Sequence, residues 1–248
     1  LDPLSFGRLW PETVALVRRH ADFLLPVGGA FLFLPQLLFA WHVGDADPKL
    51  LFRGERFVGD ALAFAGLILV SQLGQLVIAF MAVRDGTGGS TLGELLGQGG
   101  RRLLPATAAW LMQGLAVGFG LVLFILPGLW LLARLALVLP LVATDEPDPV
   151  NALGASWRLT NGHALRILAM LSLLLVGFLL IVIGINGVGM AIGVISTVAT
   201  GQPAEGWGLG RWLFETMGAA ASATVGLFYT CFLGILYRTL AERAAPHG

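Results

Sequence analysis

Residues 121–166 read LVLFILPGLWLLARLALVLPLVATDEPDPVNALGASWRLTNGHALR, and their composition decides the fold. An apolar run turns at Pro127-Gly128. A second apolar run follows, with one charge at Arg134, and after Thr144 the composition flips to DEPDP. Asp148-Pro149 then has the form of a helix start, with the aspartate as N-cap and the proline at the first helical position. In the short segment that follows, Val150, Leu153 and Trp157 share a face, and Asn161-Gly162 supplies the stop. Ala164 opens a third apolar run. Two membrane passes, a helix on the surface and a third pass account for this pattern.

The rest of the 248-residue chain supports that class. Hydrophobic residues make up 56% and charged residues 12%, against roughly 25% charged in a soluble domain. The mean hydropathy of +0.83 leaves too little polar surface for a soluble fold. The expected class is all-α, a polytopic bundle of about six spans in a single integral membrane domain, residues 1–248. A net charge of zero argues against a nucleic-acid partner, which needs a basic face. Cys231 stands alone in an apolar segment, which excludes a disulfide framework and a cysteine metal cluster. Arg18-Arg19 precede a full-length apolar run without a small-residue cleavage site, so that run reads as an uncleaved first span.

Taken in order, residues 2–21 have apolar positions at helical spacing (Phe6, Leu9, Trp10, Val14, Val17) with Arg8, Glu12, Arg18 and Arg19 elsewhere, and Pro11 suits a helix start. Spans are expected over 23–44 and 60–83. Thr91 and Glu94 have capping-box spacing for a second short helix that ends at Gly99-Gly100. The long run from Leu103 divides at Pro127-Gly128 into spans 103–126 and 129–144; the second is short, at about 24 Å for 1.5 Å per residue, with Pro140 as a kink. A fifth span covers 167–185, with 186–200 either extending it or re-entering, and the sixth covers 209–240. Three short amphipathic interfacial helices thus precede pairs of spans, giving possible repeat units 5–83, 91–144 and 148–240.

Basic residues set the expected orientation. With the N-terminus inside, six spans place Arg8, Arg18, Arg19, Arg84, Arg101, Arg102, Arg158, Arg166, Arg238 and Arg243 on the cytoplasmic side, and Lys49, Arg53, Arg56 and Arg211 outside. Both termini are therefore expected in the cytoplasm.

From Pro127, Gly128, Arg134 and Pro140 through Ala152, Leu153, Ser156, Trp157, Leu159, Thr160 and Gly162, the sequence resembles the glycerophosphoryl diester phosphodiesterase membrane-domain family. That family has a similar proline-glycine turn, a similar arginine-containing span and a similar "ALxxSWxLTxG" helix. The resemblance is close over about forty residues, and elsewhere only the span pattern agrees. It implies a helical protein of the bacterial cytoplasmic (inner) membrane. The family takes its name from members with a soluble phosphodiesterase domain after the spans, and the sequence carries none, so the expectation is that the enzymatic label does not transfer.

No catalytic constellation emerges from the residues. His20, His42, His163 and His247 are far apart and outside any H-E-x-x-H arrangement. Ser156 follows Gly154, but Arg158 replaces the second glycine of a nucleophile elbow. Gly187–Gly193 lacks the strand-turn-helix setting of a dinucleotide loop. The chain is expected to be neither enzyme nor cofactor or metal protein. Arg134 is the most informative single residue, because an unpaired charge at the bilayer centre costs at least roughly 2.5–3.5 kcal/mol. It is expected to pair with Glu215, or failing that Asp60, in the outer half of the bundle. Gln72, Gln75, Gln113 and Asn186 complete a candidate intramembrane polar set, although such neutral groups more often hydrogen-bond helix to helix than bind a substrate. Arg18, Arg19, Arg101, Arg102, Trp157, Arg158 and Arg166 are candidate lipid-headgroup contacts. Gly218, Ser222, Gly226, Thr230 and Gly234 form a small-residue face that serves packing within the chain or a homodimer seam. The functional expectation is a lipid-interacting or accessory protein of membrane maintenance, with membrane lipids and a possible protein partner. The alternative is a small-solute transporter or channel built on Arg134 and the intramembrane amides.

Overall fold

The computed structural model describes residues 4–44, 56–86, 91–200 and 208–244. The described residues form an all-helical bundle, and six of its helical stretches are long and apolar enough to cross a membrane: Ala21–Trp41, Val58–Arg84, Leu92–Leu123, Ile125–Thr144, Ala164–Gly189 and Trp212–Ala244. Lys49, Arg53 and most of the expected polar loop after the first span lie outside the described residues, as does His247.

Helix α1 (Phe6–Arg19) includes Pro11 in its interior rather than starting there. Proline has no N–H to offer Gly7, but Gly7 is exposed, so its carbonyl is free to find a partner outside the helix. Leu9, Thr13, Leu16 and Val17 turn inward. At His20 the chain bends into the first span, made of α2 (Ala21–Gly28), a π-helical turn (Gly29–Phe33) and α3 (Leu34–Gly44). Pro35 explains the wide turn: it cannot bond to the carbonyl four residues back, and the i→i+5 spacing relieves that mismatch. Helix α4 (Arg56–Arg84) is the second span.

Helix α5 (Leu92–Leu123) carries the expected capping box, with Thr91 Oγ1 accepting from Glu94 N and the Glu94 carboxylate accepting from Thr91 N. The expected stop at Gly99-Gly100 does not occur, and the second short helix is simply the first turns of the third span. Two glycines cost about 2 kcal/mol of helix propensity, less than a continuous hydrogen-bonded ladder into the apolar run returns. The expected turn at Pro127-Gly128 also moves. The break falls at Phe124, whose backbone is extended, and α6 (Ile125–Arg134) starts immediately after it. Pro127 then occupies the first turn, where its missing N–H would have been unpaired anyway. Gly128 is where the hairpin closes: a Cβ there would sit 2.6 Å from Leu121 N. Span four gains four residues over the expected 129–144 and reaches 20.

The kink at Pro140 is present as a full break. Helix α6 ends at Arg134, residues 135–137 form a turn, and α7 (Val138–Thr144) resumes the span. Helix α8 (Pro149–Leu159) begins as expected, with Asp148 Oδ1 accepting from Val150 N, and the turn after it closes with Gly162 at φ +76°. Helix α9 (Ala164–Thr200) continues through 186–200 as one helix, and α10 (Gly208–Ala244) is the last span.

One end of the bundle gathers the ends of many elements. Arg19 and Arg238 both approach Asp85, at 3.6 and 3.8 Å. Arg102 Nη1 donates to Val142 O at 2.7 Å, and Tyr237 donates to Asp145. The core lies toward this end, in Leu76–Ala82 of α4, Ala133–Val138 and Leu141–Ala143 of α6 and α7, and Cys231–Tyr237 of α10. Away from it, Leu62, Leu115, Phe119, Val122, Leu126, Leu180 and Ile183 are exposed. Apolar surface of that extent needs an apolar solvent.

Candidate functional site: the Arg134 joint and the clefts beside helix α1

The break in span four creates a demand for hydrogen bonds. Pro140 cannot donate to Ala136, and Val138 N reaches back only three residues, to Leu135 O. The Arg134 carbonyl and the Leu137 N–H therefore lose their helical partners, and burying either unpaired costs about 1–3 kcal/mol. Helix α8 supplies the replacements. Ser156 Oγ donates to Arg134 O at 2.8 Å and accepts from Leu137 N at 3.3 Å. Thr160 Oγ1, one turn on, lies 3.1 Å from the same carbonyl and shares its proton with Ser156 O at 2.8 Å. Ser156 and Thr160 are both fully buried.

The Arg134 side chain completes the joint. It is 7% exposed, and its Nη1 donates to Trp157 O at 3.1 Å and Asn161 Oδ1 at 3.4 Å. Trp157 O belongs to the last turn of α8, where carbonyls lack helical donors and carry the negative end of the dipole. The guanidinium carbon lies 4.4 Å from the Trp157 ring and 5.1 Å from the Trp130 ring, and the two indoles meet edge-on. Two ring faces thus add cation–π attraction. Arg134 Nε is buried and has no hydrogen-bond partner.

This corrects the expected ion pair. Arg134 does not pair with Glu215 or Asp60 but with a peptide carbonyl, an amide oxygen and two indoles. Asp60 and Glu215 lie in the N-terminal parts of α4 and α10, beyond the first turn of each, whereas the opposite ends of those helices meet at Asp85 and Arg238. Arg134 instead faces α8, which the chain folds back onto the break and which brings neutral acceptors nearer than any carboxylate. Ser156, Thr160 and Asn161 as the arginine's surroundings, and Trp130 as its second wall, were missed. Their i, i+4 spacing and the proline six residues after Arg134 are the signals that point to them.

The other candidates are dispersed. Gln72 is buried, Gln75 half-buried, and both border a pocket of about 190 Å³ with Ser71 and Trp110. Gln113 is half-buried on α5, and the side chain of Asn186 lies outside the described residues. Arg18, Arg101, Arg158 and Arg166 are exposed. Arg19 is exposed beside Asp85, and Arg102 is half-buried with one N–H committed to Val142. Trp157 is shared between the surface and the Arg134 joint. Along the small-residue face, Gly234 takes Ala82 of α4 so closely that a Cβ would lie 2.5 Å from it, and Gly226 faces Leu32. Thr230 is buried and bonds its own helix at Gly226 O, Ser222 is half-buried, and a Cβ at Gly218 would meet nothing within 4 Å.

Two larger clefts flank α1. One, of about 630 Å³ and almost wholly apolar, is bounded by Phe6 and Trp10 of α1, Leu132 of α6, Phe178 of α9, and Val225 and Phe228 of α10. Trp10 packs on Phe228 at 5.7 Å and stacks with Phe6 at 5.6 Å, which fixes this wall. The other, of about 580 Å³, is lined by Arg8, Glu12, Arg19, Asp85, Arg238 and Glu242. At 3.6 residues per turn, Phe6 and Trp10 lie opposite Arg8, Glu12 and Arg19. Helix α1 therefore presents an apolar flank and a charged flank, with its buried face against α10.

A family model described as the membrane domain of glycerophosphoryl diester phosphodiesterase matches residues 110–243, more than half of the chain. No curated protein and no solved structure matches it. The matched segment contains the whole Arg134 joint.

Proposed function

The chain belongs to the family of the membrane domain of glycerophosphoryl diester phosphodiesterase, and from that premise we propose a non-catalytic, lipid-interacting protein that serves membrane maintenance. The observation that carries this reading is the apolar cleft beside α1. Its volume of about 630 Å³ and its lining of aromatic and branched side chains suit an acyl chain, and the exposed apolar surface around it supports access from lipid. The phosphodiesterase activity in the family's description is not carried over, because the match is to a membrane domain. We assign the protein to the bacterial cytoplasmic membrane from the family resemblance, and infer that both termini are inside from the ten-to-four excess of basic residues at one set of span ends.

Native mass spectrometry of the full chain in mild detergent tests the reading. Wild-type protein should retain phospholipid of diacyl mass. Gly177 lines the cleft and has open space where a side chain would start, so Gly177→Trp fills it and should lower retention about tenfold, the effect of losing roughly 1.4 kcal/mol of binding. Gly118→Trp, equally open but on α5 away from the cleft, should retain lipid like the wild type. Equal retention by all three proteins would discard the cleft as a lipid site. A second reading, small-solute transport, draws on Ser71, Gln72 and Gln75 in the small pocket beside Trp110; flux into reconstituted vesicles that Gln75→Ala abolishes would favour it.

A further inference from the structure

We propose that Arg134 anchors an oxyanion site that takes a phosphate group, from a phospholipid headgroup or as free inorganic phosphate, at the edge of its guanidinium between Trp130 and Trp157. The assignment of the lipid as the source rests on the lipid-binding reading above.

Charge balance is the first ground. Arg134 is buried in a membrane-spanning segment, and among the described residues no carboxylate forms an ion pair with it. Its acceptors are a peptide carbonyl and an amide oxygen, and its walls are two indole faces. These offset part of the desolvation of the cation, but none carries a full negative charge.

Hydrogen-bond geometry is the second. Both hydrogen bonds of the guanidinium, at 3.1 and 3.4 Å, leave from Nη1, and Nε donates to nothing. The Nε and Nη2 edge of an arginine is the fork that takes two oxygens of a phosphate side by side. Trp130 and Trp157 are 39% and 37% exposed, so rotation of one indole opens this edge while the backbone joint at Ser156 and Thr160 stays closed. The amide of Asn161, beside Nη1, turned to present its NH₂ group would add a donor to the same anion.

Thermal unfolding of the delipidated full chain in an uncharged detergent tests the proposal. Added phosphatidylglycerol should raise the midpoint, and diacylglycerol with the same chains should raise it less. The phosphate-dependent increment should disappear in Arg134→Gln. In Arg134→Lys, which keeps the charge but loses the fork, half-saturation should need about tenfold more phosphatidylglycerol; this variant carries the test if Arg134→Gln does not fold. Inorganic phosphate against chloride at equal ionic strength separates the sources. A matching increment that competes with the lipid assigns the site to free phosphate, and no increment assigns it to the headgroup. Equal shifts from the two lipids, or an unaltered response in both variants, would overturn the oxyanion site. Such a result with diacyl lipid still retained by the wild type and lost in Gly177→Trp would leave the cleft reading standing.

Discussion

At Ser156 a single hydroxyl serves two backbone groups that the turn at residues 135–137 has left without helical partners, donating to Arg134 O and accepting from Leu137 N. Ser156→Ala removes both contacts inside a fully buried joint, and Thr160, whose proton is shared with Ser156 O, replaces neither completely. The substitution should cost about 1–3 kcal/mol, read as a lower thermal midpoint in detergent with the helical content of the folded protein unchanged. An unchanged midpoint would mean that the break does not depend on α8. Much of this was visible in sequence as residue identity. Arg134, Pro140, Ser156, Trp157 and Thr160 all stand out there, but their pairing does not, because partners 19 to 27 positions apart meet only once α8 has folded back. A depth counted along an unbroken helix points Arg134 at Glu215; the break changes its surroundings.

Elements bounded by local chemistry read well from sequence. The Thr91–Glu94 box, the Asp148 cap with Pro149 and the Gly162 stop all act within a few residues of themselves. Gly99-Gly100 and Pro127-Gly128 mislead because glycine and proline are ambiguous in a membrane helix. An apolar environment penalises unpaired backbone so strongly that a helix runs through glycines a soluble protein would use as a stop. The identity of α8 carries the topology: Asp148 precedes it, and span four must cross for it to share a side with Arg19, Asp85 and Arg238. In whole cells, a Cys231→Ala chain carrying Asp148→Cys should resist a membrane-impermeant thiol reagent applied from outside and react after permeabilisation, while Phe124→Cys, in the exposed hairpin between α5 and α6, should react from outside. Reaction at 148 in intact cells would reverse the proposed orientation.

For the whole molecule, composition and periodicity establish an all-helical, six-span protein, but the placement of its core and clefts comes from contacts between distant elements. Helix α1 reads as a surface helix, yet it packs its Leu9 to Val17 face along α10 and so separates an apolar cleft from a charged one. Neither cleft has a signature in any single stretch, since the apolar one draws on four helices. The claim that this cleft holds an acyl chain is tested most directly at Trp10, which forms its wall against Phe228. Phospholipid with brominated chains, titrated at low mole fraction into micelles of the purified protein, quenches tryptophan on contact. The account predicts a saturable component of quenching that is lost in Trp10→Phe and, with no new tryptophan introduced, in Gly177→Phe; quenching that rises in simple proportion to the brominated lipid, alike in all three proteins, would contradict it.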